Sequence, residues 1–157
     1  MVRHIATMVL AVVAMGAIFA LPVAAQQTAV GTVISAADAH AKALTGQLVL
    51  VNIRRPEEWA ETGLPSTAHA VTMHQDRPAF LAALKAAMGG NTTRPLAIIC
   101  HSGTRTSSIY DDLRQAGFPN LINVAEGMGG GAFGPGWLKA GLPVRATTAP
   151  RQTSKAN

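Results

Sequence analysis

Continuous apolar runs alternate with longer amphipathic segments between residues 31 and 144 of this 157-residue chain. Leu48-Val49-Leu50-Val51-Asn52-Ile53 and Leu96-Ala97-Ile98-Ile99-Cys100 run on without polar alternation, the pattern of strands covered on both faces. Gly31 to Ser35, Ala68 to Met73 and Leu121 to Val124 are further, shorter β-like stretches. Ser35 is placed to cap a helix over Ala36 to Leu44, which Gly46 would end. Pro56-Glu57-Glu58-Trp59 carries proline and acids as a helix start does. Phe80, Leu81, Leu84 and Met88 recur at helical spacing within Pro78 to Met88, before Gly89-Gly90. Thr104 to Ala116 reads as a helix with Ile109 and Leu113 four apart and Gly117 as the stop. A glycine-rich loop and a short helix around Gly136 to Ala140 complete the pattern. Strands alternating with helices predict a single α/β domain built on a parallel sheet. There is no internal repeat.

The N-terminus follows a different pattern. Arg3 and His4 precede an almost wholly apolar stretch, Ile5 to Val23, and then the small residues Val23-Ala24-Ala25. This is the layout of a secretory signal peptide over residues 1–25, cleaved between Ala25 and Gln26. The alternative is an uncleaved anchor, since the apolar run is about long enough to span a bilayer. Either way the remainder is expected outside the cytoplasm, in a periplasm, and after cleavage without stable membrane association. The positive mean hydropathy, +0.23, owes much to this segment.

Charge changes the picture little. Residues 26–144 hold nine Lys and Arg against eight Asp and Glu, and Arg145, Arg151 and Lys155 add three of the remaining positive charges in a tail rich in Ala, Thr and Ser, Arg3 being the other. Residues 147–157 are expected to be a disordered basic tail. There is no basic helix face and no stripe of aromatic and basic residues, so nucleic acid is excluded as an expected partner.

Cysteine changes it more. Cys100 is the only one. In an oxidising compartment cysteines are ordinarily paired; a lone one is a buried spare, an intermolecular link or a working thiol. Its surroundings suit the last. Cys100 ends a strand, where parallel sheets gather ligands, and Cys-His-Ser-Gly-Thr-Arg then leads into a helix. Backbone amides of such a turn form an anion nest. Gly103 gives the turn conformational freedom, the hydroxyls of Ser102 and Thr104 can donate, and Arg105 offers a cationic fork. Helix N-termini and cations of this kind favour a thiolate over a thiol. His40, His69 and His74 show no metal-ligand spacing with the cysteine.

The run CHSGTR, residues 100–105, resembles the active-site loop of the rhodanese family of sulfurtransferases, often C-R-S-G-x-R. Arg54, Glu58, Trp59, Gly63 and Ala68 fall at matching places in the family's earlier Asp-x-Arg segment. NVAEGMGGGAFGPGWLKAGLPV resembles its closing pattern of Glu-Gly, Trp and Gly-Leu-Pro-Val. The three blocks frame a domain over residues 30–146. The resemblance implies a five-stranded parallel sheet flanked by helices on both faces, and a sulfurtransferase needing no metal or other cofactor. Cys100 would be the nucleophile and carry a persulfide. His101, Ser102, Gly103, Thr104 and Arg105 would cradle the sulfur and bind substrate, with Arg105 also holding an anionic donor. Partners would be a small sulfur donor such as thiosulfate and a thiol or cyanide acceptor, a protein thiol included. The rival readings are a persulfide carrier or sensor without turnover, and a phosphatase or arsenate reductase. Those last enzymes resemble C-x5-R, whereas Cys100 to Arg105 is C-x4-R, a smaller cradle.

The chain departs from the family at three places. Asn52 replaces the usual Asp, and His101 a frequent Arg. The loop from Gly127 to Gly136 is longer than the usual spacer and reads more as a connector than as part of a site. Arg54 and Glu58 read as a structural pair or helix-end contacts, and Trp59 and Trp137 as core.

Overall fold

The computed structural model describes residues 32–147. The expected signal segment lies outside the described residues, as do residues 148–157 of the expected tail. The apolar runs become β1 (Thr32–Ile34), β2 (Val49–Asn52), β5 (Leu96–Ile99) and β6 (Leu121–Val124), with a short β4 (His69–Ala70). They form one sheet in the order β1-β6-β5-β2-β4, and every neighbouring pair is parallel. β5 is therefore central. Its side chains alternate between two cores: Leu96, Ile98 and Cys100 face one cluster, and Ala97 and Ile99 the other. Burial on both faces is why this strand has no polar position to alternate with.

The helices that cover the sheet are α1 (Ala36–Leu44), α2 (Pro56–Thr62), α3 (Arg77–Ala87), α4 (Thr104–Gln115) and α5 (Gly136–Lys139). Phe80 and Leu84 of α3 and Leu113 of α4 pack on the Cys100 side. Ala36 and Ala39 of α1 and Trp137 of α5 pack on the other. Ser35 caps α1 as expected, its Oγ accepting from Asp38 N–H at 3.0 Å. Asp76 does the same for α3 through Ala79 N–H at 2.9 Å, so that helix starts one residue earlier than its proline suggests.

Two expectations need revision. The stretch Ala68 to Met73 holds only a two-residue strand, yet Val71 and Met73 still donate to the carbonyls of Asn52 and Ile53 at 3.1 and 3.2 Å, so it follows β2 to its end. Arg145 is not in a tail. It lies in β7 (Val144–Arg145), antiparallel to β3 (Leu64–Pro65), and its Nη2 donates to the Ala68 carbonyl at 3.0 Å.

Candidate active site

β5 delivers Cys100 to the carboxyl edge of the sheet, and the chain must then turn sharply to begin α4. Gly103 makes that turn at φ 83°, in the left-handed region that glycine enters at no steric cost. The resulting loop is closed over the sulfur. Cys100 is fully buried, and Gly103 N–H donates to its Sγ at 3.2 Å. Among the described residues, no backbone carbonyl accepts from the amides of His101, Ser102, Thr104 or Arg105. The six sequence-predicted site residues thus form one contiguous strand-to-helix loop, with the Gly103 amide on the Cys100 sulfur. Ser102 and Thr104 bring their hydroxyls within 3.3 Å of each other, while His101 is exposed at the rim.

The glycine-rich segment is the second wall, not a mere connector. Met128 N–H donates to the Cys100 carbonyl and Gly129 N–H to that of His101, each at 2.9 Å. A side chain at Gly127 would collide with the His101 carbonyl, and one at Gly103 with the Ala125 carbonyl. A Cβ at Gly129 would stand 2.9 Å from the His101 imidazole. Two backbones meet at Gly127 and Gly103 with no space for a Cβ, while Gly130 and Gly136 are crowded by the segment's own backbone. α5 holds it from behind: Trp137 N–H and Leu138 N–H donate to Gly127 and Met128 at 2.9 and 3.0 Å.

Arg105 does not stand free. Its Nη1 and Nη2 donate to the two carboxylate oxygens of Glu58 at 2.7 and 2.6 Å, a bidentate pair that fixes the plane of the guanidinium. Glu58 also accepts from Arg55 N–H at 3.0 Å. The Arg105 hydrogen bonds, chiefly, hold the Glu58 carboxyl at a pKa of about 2, and Glu58 in turn raises that of Arg105, with the Cys100 sulfur a smaller influence in the same direction. Glu58 is the residue that the sequence reading missed. Of the expected roles, the helix-end contact holds, through Arg55 N–H, but the pair with Arg54 does not, since Arg54 touches only the Glu58 backbone carbonyl, at 3.1 Å. Its place was available from topology: α2 follows β2, α4 follows β5, and β2 and β5 are neighbours, so the first turns of both helices meet at one edge.

Arg54 is buried and its guanidinium donates to Asn52 Oδ1, Thr62 Oγ1 and the carbonyls of Glu58 and Gly63. Trp59 is less a core residue than a clamp on Asn52, donating Nε1–H to Oδ1 at 3.1 Å. Trp137 is core, fully buried, with the His40 ring edge-on to it at 5.3 Å. His74 is exposed, and its pKa is lowered by partial desolvation and then by Arg55 and Arg105. Among the described residues no group of His, Cys, Asp and Glu could hold a metal, and no helix is long and apolar enough to cross a membrane.

The family model described as Rhodanese-like domain matches residues 35–131. No curated protein matches the chain. Among solved structures, Rv0390 from M. tuberculosis is similar at 26% identity, covering 74% of this chain and 98% of that one, with a TM-score of 0.59. SSP1007 from Staphylococcus saprophyticus is similar at 25% identity over 72% and 99%, with a TM-score of 0.52. The polysulfide-sulfur transferase homodimer from Wolinella succinogenes shares the fold at 22% identity over 78% and 83%, with a TM-score of 0.56.

Proposed function

Because the chain belongs to the rhodanese-like domain family, we propose that it is a sulfurtransferase that carries sulfane sulfur as a persulfide on Cys100. The observation that carries this reading is the loop itself: a lone buried thiol at the end of the central strand, with the Gly103 amide on its sulfur and the neighbouring loop amides bonded to no backbone carbonyl. A hydrogen bond from N–H to sulfur is strongest when the sulfur is negative. The same donors serve the Cys100 thiolate and the terminal sulfur of a persulfide.

The reaction divides into two displacements. The Cys100 thiolate attacks the outer sulfur of thiosulfate; the Sγ–S bond forms, the donor S–S bond breaks, and sulfite leaves with the electron pair. An acceptor such as cyanide or a thiolate then attacks the terminal sulfur. The Sγ–S bond breaks, thiocyanate or an acceptor persulfide leaves, and the Cys100 thiolate is restored. The closed loop between Cys100 and Arg105 suits a single sulfur atom better than a tetrahedral oxyanion, which argues against a phosphatase. The N-terminal pattern of residues 1–25 supports action outside the cytoplasm, in the periplasm, on small donors and on small or protein-borne thiols.

Intact mass tests the proposal. Thiosulfate is expected to add one sulfur to the wild type and none to Cys100→Ser, and cyanide is expected to remove it with release of thiocyanate. A gain that neither cyanide nor thiols reverse would replace the enzyme by a carrier or sensor. No gain, with a thiol that also resists alkylation, would refute sulfur chemistry at this site.

A further inference from the structure

Beside the cradle lies a buried cation whose direct partners are all neutral. Arg54 is 1% exposed. Its side chain donates to Asn52 Oδ1 at 3.2 Å, Thr62 Oγ1 at 2.8 Å, the Glu58 carbonyl at 3.1 Å and the Gly63 carbonyl at 2.6 Å. Asn52 is fully buried and sits opposite Ile99 in the β2–β5 ladder, so Arg54 follows it alongside the start of the Cys100 loop. Three donors converge on Asn52 Oδ1: the Arg54 amide, Arg54 Nε and Trp59 Nε1. They leave no doubt about which way the amide faces, since its NH2 has nothing to offer them.

The other half of that amide is anomalous. Asn52 Nδ2 is buried and has no partner, a loss of about 1–3 kcal/mol for a group of this kind. A carboxylate would accept the same three hydrogen bonds and would also cancel the Arg54 charge. The amide accepts them and cancels nothing. Glu58 compensates only in part: its charge favours the Arg54 cation, but both of its oxygens are bonded to Arg105. Two guanidiniums therefore share one partly buried carboxylate. Arg55 and Glu61 lie nearby but are exposed, where solvent and salt screen them. Burial lowers the Arg54 pKa, Glu58 opposes that lowering, Arg105 adds to it, and a charge on Cys100 opposes it more weakly.

We propose that Asn52 is a specificity determinant of this site, its neutrality leaving the Arg54 charge only partly offset near the start of the Cys100 loop so that anionic sulfur donors are selected over neutral ones. The proposal rests on the reading of Cys100 as the reacting sulfur, but its test does not require sulfur transfer. Iodoacetate and iodoacetamide each form an S–C bond at a thiolate and expel iodide, the thiol proton going to solvent. They differ in one negative charge. The ratio of their rates at Cys100, read by mass spectrometry, reports the field at the sulfur and is independent of how much thiolate is present.

The wild-type ratio is expected to exceed that of N-acetylcysteine and to remain above it as salt is raised, since a buried charge is screened much less than an exposed one. Asn52→Asp is expected to lower it by about threefold or more, on the order of the Coulomb effect of one buried charge at an effective dielectric near 20. Asn52→Ser removes the amide without adding charge and is expected to change both rates alike. An Asn52→Asp ratio equal to wild type, or an Asn52→Ser ratio shifted as far as that of Asn52→Asp, would overturn the proposal. Should Asn52→Asp fail to fold, a wild-type ratio no higher than that of N-acetylcysteine overturns it alone, as does a thiol closed to both reagents. Persulfide formation by neutral and anionic donors alike, with the alkylation ratio still high, would count against the sulfur-transfer selectivity and leave Cys100 chemistry standing.

Discussion

Gly103→Ala is expected to destabilise the domain by about 2–4 kcal/mol, the range of a strained backbone added to a clash that cannot relax. It is also expected to reduce sulfur transfer by roughly a hundredfold in whatever protein remains folded, as misplacement of a reacting group does. Two effects add. Alanine at φ 83° is strained wherever it occurs. At this position the new Cβ would also run into the Ala125 carbonyl, a backbone atom at the end of β6 that has no rotamer with which to move away. The loop must shift, and with it the amide that holds Cys100 Sγ. Gly46 separates the two contributions. It has φ 70° with nothing within 4 Å of a built Cβ, so Gly46→Ala should lose only about 1 kcal/mol and retain full transfer. Urea denaturation and transfer assays of the two variants side by side decide the matter: equal losses would mean that the close approach of the cysteine and glycine-rich loops has no energetic weight.

That approach also marks where the sequence became unreadable. β2 and β5 were legible because burial on both faces leaves them no alternating polar positions, Asn52 at the end of β2 being the one polar residue in either, and α1 because Ser35 and Gly46 punctuate it. The Cys100 cradle was legible because a single strand-to-helix turn supplies all of it from consecutive residues. The opposite wall was not. Glycine in Gly127 to Gly136 looks the same in a sequence whether it gives flexibility or makes space, and only the packing of the His101 carbonyl against Gly127 tells the two apart. β3 and β7 were missed for a related reason. Two-residue strands carry no period, and Leu64 and Arg145 meet only because the chain closes on itself. Glu58 and Arg105 lie 47 positions apart, beyond any local pattern. Glu58 also had a nearer and plausible partner in Arg54, which instead satisfies itself on carbonyls and the Asn52 amide.

Glu58→Gln is expected to lower stability by about 1–2 kcal/mol near neutral pH, discounted because both partners are about a quarter exposed, and to make stability less sensitive to acid. The sign follows from the carboxyl. Its folded pKa of about 2 lies below the usual carboxylate value of about 4.3. The unfolded chain therefore takes up the proton first as acid is added. The contribution of the pair is complete above about pH 5, shrinks as pH falls through the unfolded value, and is gone below about pH 2. Glutamine carries no such contribution. The stability gap between wild type and variant should therefore narrow as the pH of urea unfolding is lowered from 6 to 3, every other carboxylate being common to the two proteins. A gap of the same size at both pH values would show that Glu58 acts through packing, not through its charge. The variant also loses one of the two acceptors that orient Arg105, so its turnover with thiosulfate should fall by about tenfold or more, as expected for a displaced positioning group. A double-mutant cycle with Arg105→Gln completes the argument. If Glu58 works by holding Arg105, each single change should cost nearly as much turnover as both together; independent, additive losses would mean that the carboxylate acts on the sulfur site by another route.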